Sequence, residues 1–437
     1  MIFPDTIFAL SSGGLPSGVA IVRISGPATR AVLRMLCGRA PAERVATLAA
    51  IREADGTIVD NGLVLFFAAP RSFTGEDVAE LHVHGGKAVV AAVLRRLGEV
   101  EGLRQAEAGE FTRRAFLNAK VDLTGAEALA DLVSAETEAQ RRFALDNSGG
   151  RQAALYGEWR ERILRARAMV EAELDFADEG DVGESPADAV WPDMLSLVTE
   201  MEAHIASYHR AEIIRDGFRV VILGAPNAGK SSLLNALASR DVAIVTEEAG
   251  TTRDLIEISL DLGGVKVLVT DTAGLREDAG RIETIGIEKA RRRASMADLV
   301  LLLTDLSDPR GINDRFGHVP VWRIGTKADL GGDLPYQGYD HVISTVGGCG
   351  MGELLRALEE VAKEAAATTE VLPSRMRHVE LLRQCKRHLG QALTGTDRLE
   401  LRAEELRLAG EALGRIVGSV NVEELLGTIF STFCIGK

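Results

Sequence analysis

Gly224-Ala-Pro-Asn-Ala-Gly-Lys-Ser231 decides how the chain is read, because it has the form G-x-x-x-x-G-K-S. Before it, Arg219-Val-Val-Ile-Leu223 is a short apolar, β-branched run that reads as a buried strand. After it, Ser232-Leu-Leu-Asn-Ala-Leu-Ala238 has helical spacing and good helix formers. Strand, glycine loop and helix in this order are the setting of a P-loop, whose backbone N–H groups face inward toward phosphate oxygens. Lys230 then reaches the β- and γ-phosphates, and the Ser231 hydroxyl ligates Mg2+. The competing reading is a glycine-rich turn that only joins strand to helix.

Three further stretches separate guanine from adenine chemistry. Val265-Lys-Val-Leu-Val-Thr270 reads as a strand ending in Asp271-Thr-Ala-Gly274, where the carboxylate can hold Mg2+ through water and the Gly274 N–H can sense a γ-phosphate. Gly250-Thr-Thr-Arg-Asp254 follows the strand-like Asp241–Val245, and the Thr252 hydroxyl is the candidate to complete the Mg2+ shell. Leu299–Leu303 and Val319–Ile324 read as buried strands, the second leading into Thr326-Lys-Ala-Asp329. The Asp329 carboxylate can accept from both N1–H and N2–H2 of guanine, donors that adenine lacks there. The four elements, in this order, predict a G domain. Small GTPases place a water-positioning glutamine directly after the glycine of D-x-x-G. Leu275 stands there, so the water must be positioned by another residue, and the loop 276–287 offers Glu277, Asp278 and Glu283. Asn227 could ligate a monovalent cation beside the phosphates or only stabilise the turn.

The rest of the chain bounds these readings. Its 437 residues leave room for two to four domains, and 50 basic against 64 acidic residues give a net charge of −14. That balance argues against a generally basic nucleic-acid binder, leaving Arg113-Arg114, 291–293 and 375–388 as local candidate patches. Cys37, Cys349, Cys385 and Cys434 are widely separated without a C-x-x-C pair, which fits a reducing cytoplasm. The N-terminus lacks a secretory pattern, and the longest apolar run is too short to span a bilayer.

Residues 1–118 alternate strand-like pieces (18–24, 62–67, 78–83) with a helix over 87–97, an α+β pattern. His82 and His84 share one side of a strand, as metal ligands or as half-buried polar groups beside a glycine turn. Helical spacing dominates from about 120 to 215, including one helix over 152–176 and another over 192–214, with an acidic break at 178–186. It returns over about 377–427, so the nucleotide domain reads as an insertion into a helical domain.

Further motifs run nearly end to end: Arg23-Ile-Ser-Gly26, Phe73-Thr-Gly-Glu-Asp77, His84-Gly-Gly86, Arg114-Ala-Phe-Leu-Asn118 and the terminal Phe433-Cys-Ile-Gly-Lys437 join the P-loop, Gly250-Thr-Thr-Arg-Asp254 and Asp271-Thr-Ala-Gly-Leu-Arg276. On these residues the chain resembles the MnmE (TrmE) family of tRNA-modification GTPases. The resemblance implies a multidomain α/β architecture. An N-terminal α+β domain over 1–118 would dimerise and bind a tetrahydrofolate (5-formyl- or 5,10-methylene-). A discontinuous helical domain would comprise 119–215 and 371–437, with a P-loop G domain inserted over 216–370. The resemblance also implies a cytoplasmic homodimer without membrane contact. That dimer would join an FAD-dependent partner, MnmG (GidA), in a heterotetramer, and together they would install the carboxymethylaminomethyl group at C5 of the wobble uridine of certain tRNAs.

The resemblance assigns residues as well. The nucleotide would be held by Asn227, Ala228, Gly229, Lys230, Ser231, Ser232, Thr246, Glu247, Glu248, Ala249, Gly250, Thr251, Thr252, Asp271, Thr272, Ala273, Gly274, Thr326, Lys327, Ala328 and Asp329. Asn227 and Thr251 side chains with the carbonyls of Thr246 and Glu248 match K+ ligands; Ser231 and Thr252 match Mg2+ ligands; Glu283 matches the glutamate that positions water. Arg23, Glu80, Lys120 and Lys437 match folate contacts, and Cys434 matches a cysteine linked to the modification chemistry. Two departures stand out. Thr326 replaces the family's Asn, and Ser344-Thr-Val346 replaces Ser-Ala-Arg or Ser-Ala-Lys, which together imply looser nucleotide binding and exchange without a dedicated factor. The alternative reading, on the G domain alone, is a GTP-switched assembly factor that performs no modification.

Overall fold

The structure is a computed structural model, and it describes residues 3–175, 188–240, 242–244, 257–271, 292–309, 316–330, 337–395 and 398–419, with Leu426, Ile429, Phe430, Phe433 and Gly436. The chain forms two compact units, one of Met1–Ala130, Ser148–Leu195 and Gln384–Lys437, the other of Asp131–Asn147 and Ser196–Arg383.

The first unit holds a six-stranded sheet of β1 (Thr6–Leu10), β2 (Ser17–Ser25), β3 (Thr47–Arg52), β4 (Ile58–Phe67), β5 (Val78–Gly85) and β6 (Leu103–Gln105). Their order is β3-β4-β5-β2-β1-β6, antiparallel except for the β1–β6 pair. Alternate residues Ala20, Val22 and Ile24 of β2 and Ala79, Leu81 and Val83 of β5 are buried with Val90, Val93 and Leu97 of the helix Lys87–Gly98. The period of two therefore sends Arg23 and Glu80 to the opposite face, where the β2–β5 register sets them directly across from each other. The helices Arg151–Asp175 and Leu399–Val417 add an all-α part, into which Tyr156, Trp159, Ile163, Leu406 and Leu413 are buried. A second apolar cluster joins Leu123 and Ala126 to Leu426, Phe430 and Phe433.

The second unit is built on seven strands: β7 (Phe218–Gly224), β8 (Ala243–Ile244), β9 (Glu257–Leu262), β10 (Val265–Asp271), β11 (Leu299–Asp305), β12 (Val321–Thr326) and β13 (His341–Val342). Their order is β13-β12-β11-β7-β10-β9-β8; the first five are parallel and the last two join antiparallel. Both faces of β7 are covered, Val220 and Ile222 by one core cluster and Val221 and Leu223 by another. Double coverage explains why β7 and β11 read as unbroken apolar runs rather than alternating ones. The chain moves from β7 toward β10 on one side and then crosses to β11 on the other. Ligands of open α/β sheets lie at such a reversal, outside the carboxyl ends of the strands.

Sequence and structure differ locally. The helix expected over 192–214 is two helices, Trp191–Ala206 and Tyr208–Asp216, divided at Ser207, whose hydroxyl donates to the His204 carbonyl at 2.7 Å. The second inner strand is displaced to Val321–Thr326, and the edge strand 241–245 is described only as Ala243–Ile244. The acidic break at 178–186 lies outside the described residues.

Candidate functional site: a phosphate loop and a separate cationic cavity

The P-loop follows β7 without slack. A Cβ on Gly224 would meet the Leu303 carbonyl oxygen at 2.7 Å, so only glycine lets the loop leave the sheet here. Asn227 and Gly229 adopt left-handed backbone (φ 62° and 88°), conformations that Asn and Gly tolerate best. Gly229 caps the helix Lys230–Ala238 with no side-chain cap, so the first-turn N–H groups face the loop, the arrangement that binds anions. The Lys230 ammonium donates to the Gly224 and Ala225 carbonyls, both at 2.9 Å.

Strand pairing brings Asp271 and Ser231 together. β10 alternates, so Asp271 shares the buried face of Val265, Val267 and Val269 and is 1 % exposed. Its register opposite Ile222 sets it beside the P-loop helix, where the Ser231 hydroxyl donates to Asp271 Oδ2 at 3.0 Å. A hydroxyl and a buried carboxylate at this spacing fit Mg2+, the hydroxyl as ligand and the carboxylate through water.

At the end of β12, Asp329 Oδ1 accepts from the Ser344 hydroxyl at 2.5 Å, and the Gly347 N–H donates to that hydroxyl at 2.9 Å. The serine holds the carboxylate in one orientation. Lys327 (φ 57°) pairs with Asp305 at 2.5 Å, opposite in the β11–β12 register by one step. Burial pushes the Asp305 carboxyl up, but the bonds from Lys327 and Ser307 outweigh it and hold it down at about 2. Thr326 is buried, and its hydroxyl lies 2.8 Å from the Ala228 carbonyl of the P-loop and 3.2 Å from that of Thr304. The threonine thus ties the base-side strand to the phosphate loop. Sequence reading saw the Asn-to-Thr departure but not this role, because Ala228 is 98 residues away.

The first unit carries a cavity of about 420 Å3, lined by Arg23, Arg44, Phe67, Arg71, Ser72, Phe73, Val78, Glu80 and Lys120. Three of the four folate candidates thus meet. Arg23 Nη2 and Nε donate to Glu80 Oε1 at 2.9 and 3.1 Å, and the guanidinium lies 5.7 Å from the Phe73 ring centroid. Lys120 Nζ donates to the Pro70 carbonyl at 2.9 Å. A carboxylate acceptor, guanidinium donors and an aromatic wall in a cavity of this size suit a flat, polar heterocycle. The chain's C-terminal end reaches the same unit's sheet: the Ser11 hydroxyl donates to the Gly436 carbonyl at 2.8 Å.

Several expected residues lie outside the described ones: Thr246, Glu247, Glu248, Ala249, Gly250, Thr251, Thr252, Thr272, Ala273, Gly274, Leu275, Glu283, Cys434 and Lys437. Other sequence readings meet the following geometry. Arg114 is no RNA contact: it is 1 % exposed and bonds to Asp5 (2.9 Å), Glu76 (3.2 Å) and Glu110 (3.0 Å). His82 lies 3.5 Å from Glu80, and the exposed His84 pairs with Asp60 at 2.9 Å. Among the described residues no group of three or more His, Cys, Asp or Glu could hold a metal ion. Burial pushes the Cys37 thiol up to about 11 and raises that of Cys385, which disfavours the reactive thiolate at both.

Two family models match the chain, the N-terminal region of the GTP-binding protein TrmE over residues 6–120 and the MnmE helical domain over residues 123–434. A protein of Mesorhizobium japonicum named tRNA modification GTPase MnmE is 58 % identical over 443 residues, covering 100 % of both chains. The chain belongs to the MnmE family. A Chelativorans relative of the same name is also 58 % identical, over 99 % of this chain and 98 % of its own. Among solved structures, the G domain of the T. maritima FeoB iron transporter matches at 24 % identity, over 34 % of this chain and 99 % of its own, with a TM-score of 0.25. The N-terminal sheet, the helical part and the P-loop sheet are the architecture on which an MnmE chain is built. Among the described residues no helix is long and apolar enough to cross a membrane.

Proposed function

We propose that the chain is a K+-activated GTPase that works with a flavin-dependent partner, MnmG, to install the carboxymethylaminomethyl group at C5 of the wobble uridine of certain tRNAs. The observation that carries the GTPase part is the convergence at the carboxyl ends of parallel strands. Lys230 and the helix N-terminus follow β7, Asp271 ends β10 against Ser231, and Asp329 follows β12, oriented by Ser344. In this reading the carboxyl ends of the strands would receive phosphates, Mg2+ and guanine side by side. The tRNA part is supported by the name that the full-length relatives share.

Asn227, Thr246, Glu248 and Thr251 would hold K+, whose charge replaces an arginine finger beside the phosphates. Ser231 and Thr252 would ligate Mg2+. Glu283 would orient the attacking water, since Leu275 has no group that can. The cavity around Arg23, Glu80 and Lys120, with Lys437, would bind the tetrahydrofolate that supplies the carbon, and Cys434 is the candidate for a further role in that chemistry. The division at residues 118, 215 and 370, a homodimer, its heterotetramer with MnmG and a cytoplasmic location belong to the same proposal.

The test compares GTP hydrolysis in K+ and Na+ at equal ionic strength. Turnover is expected to be at least about tenfold faster in K+, a difference of about 1.4 kcal/mol in barrier. Glu283→Ala should lose turnover and keep GTP binding. Equal rates in the two salts contradict the cation reading, and retained turnover in the variant assigns the water to another residue.

A further inference from the structure

Two arginines line the cavity of the first unit without a part in the folate proposal. Arg44 and Arg71 have side chains 55 % and 73 % exposed, against 22 % for Arg23 and 18 % for Glu80, so they form the outer part of the cavity and the Arg23–Glu80 pair the inner part. Their placement is built rather than incidental. The Arg44 backbone is left-handed (φ 61°), a conformation an L-residue holds only where its surroundings fix it. Its N–H donates to the Phe66 carbonyl at 2.8 Å, its guanidinium lies 5.5 Å from the Phe67 ring centroid, and Nη2 donates to the Arg71 carbonyl. Arg71 is anchored by its N–H on the Ala68 carbonyl at 2.9 Å, with Nη2 on Glu43 Oε2 at 3.1 Å.

The charges do not balance. Arg23, Arg44, Arg71 and Lys120 line the cavity against one lining carboxylate, Glu80, itself committed to Arg23. Glu43 is the only carboxylate bridged to the outer arginines among the described contacts, and Lys120 bonds to a neutral carbonyl. A cationic surplus thus sits at the outer part of a cavity in a chain of net charge −14. Planar guanidiniums match carboxylates, and several exposed ones side by side match a chain of carboxylates better than a single one.

We propose that Arg44 and Arg71 bind the poly-γ-glutamate tail of a folate, so that the chain selects polyglutamylated over monoglutamylated tetrahydrofolate. The proposal rests on the folate reading of this cavity. A carboxylate tail is favoured over an RNA backbone because the surplus is continuous with a cavity that takes a small heterocycle, and the tail extends from that heterocycle.

The test measures equilibrium binding of tetrahydrofolate monoglutamate and triglutamate to the full chain. At low salt the triglutamate is expected to bind about tenfold tighter, with the ratio shrinking as salt rises. Arg71→Ala combined with Arg44→Gly, which suits the left-handed backbone, should bring the ratio to about one, and Arg71→Glu should do so from a mostly exposed position that leaves folding intact. Arg71→Lys should keep part of the preference. A wild-type ratio near one, a ratio that the variants leave unchanged, or displacement of the triglutamate by an RNA oligonucleotide only through Arg44 and Arg71 overturns the inference while the folate reading stands. Failure of both folates to bind overturns the folate reading and this inference with it.

Discussion

Thr326→Val removes one hydroxyl from the buried contact between the base-side strand and the P-loop. Thr326 is 3 % exposed, and its Oγ1 lies 2.8 Å from the Ala228 carbonyl and 3.2 Å from the Thr304 carbonyl. Valine keeps the shape and leaves those carbonyls without that donor. A lost buried hydrogen bond costs about 1–2 kcal/mol, a factor of about 5–30 in an equilibrium. Part of this falls on the loop rather than on the fold, because the phosphate-binding conformation of residues 227–229 must then be restored when nucleotide binds. GTP and GDP affinities, read by fluorescent-nucleotide titration, should therefore drop about fivefold or more. Pyrophosphate, which has no base, should lose affinity by the same factor. Thr326→Ser, which keeps the hydroxyl, should stay within about threefold. GTP affinity within about twofold of wild type in Thr326→Val refutes the tie. A loss confined to guanine nucleotides with pyrophosphate unaffected assigns the hydroxyl to the base instead.

Asp329→Asn exchanges the carboxylate proposed to accept from guanine for an amide whose NH2 can donate. GTP binding should weaken by about 1.5–3 kcal/mol while xanthosine triphosphate, with an acceptor at C2, gains; unchanged selectivity in competition binding contradicts the role. The first unit should be acid-sensitive through Glu110. Burial pushes its carboxyl up, but bonds from Arg104, the Glu107 N–H and Arg114 outweigh this and hold it below the ordinary carboxylate value of 4.5. Stability from a depressed carboxylate is complete above its unfolded value and drains as pH falls through the lower folded one. Denaturation midpoints should thus fall below about pH 4.5, and Glu110→Gln should lose about 1–3 kcal/mol at neutral pH and flatten that fall; an unchanged profile contradicts it.

The P-loop was legible because its requirements are local. Gly224, Asn227 and Gly229 supply backbone that other residues resist, and the runs on either side carry one period each. Asp271 and Asp329 were legible as the polar ends of apolar strands. What stayed hidden depends on partners far along the chain. Arg114 beside Arg113 looks like a basic surface pair, yet Asp5 and Glu76, 109 and 38 residues away, bury it as a structural ion. Thr326 looked like a lost base contact, since nothing nearby announces Ala228. Arg44 and Arg71 gave no motif at all; only the β4 end and the loop after it bring them to the cavity that Arg23 and Glu80 line. The break at Ser207 shows the converse, a local side-chain bond overriding a helical period.

Mass spectrometry of wobble nucleosides from cells lacking this chain, with the gene restored as control, reads the proposed modification itself. The carboxymethylaminomethyl group at C5 of the wobble uridine, and nucleosides built from it, should disappear and should return with the wild-type chain but not with Glu283→Ala. A wobble-nucleoside profile unchanged by loss of the chain would contradict it and favour a GTP-switched assembly factor.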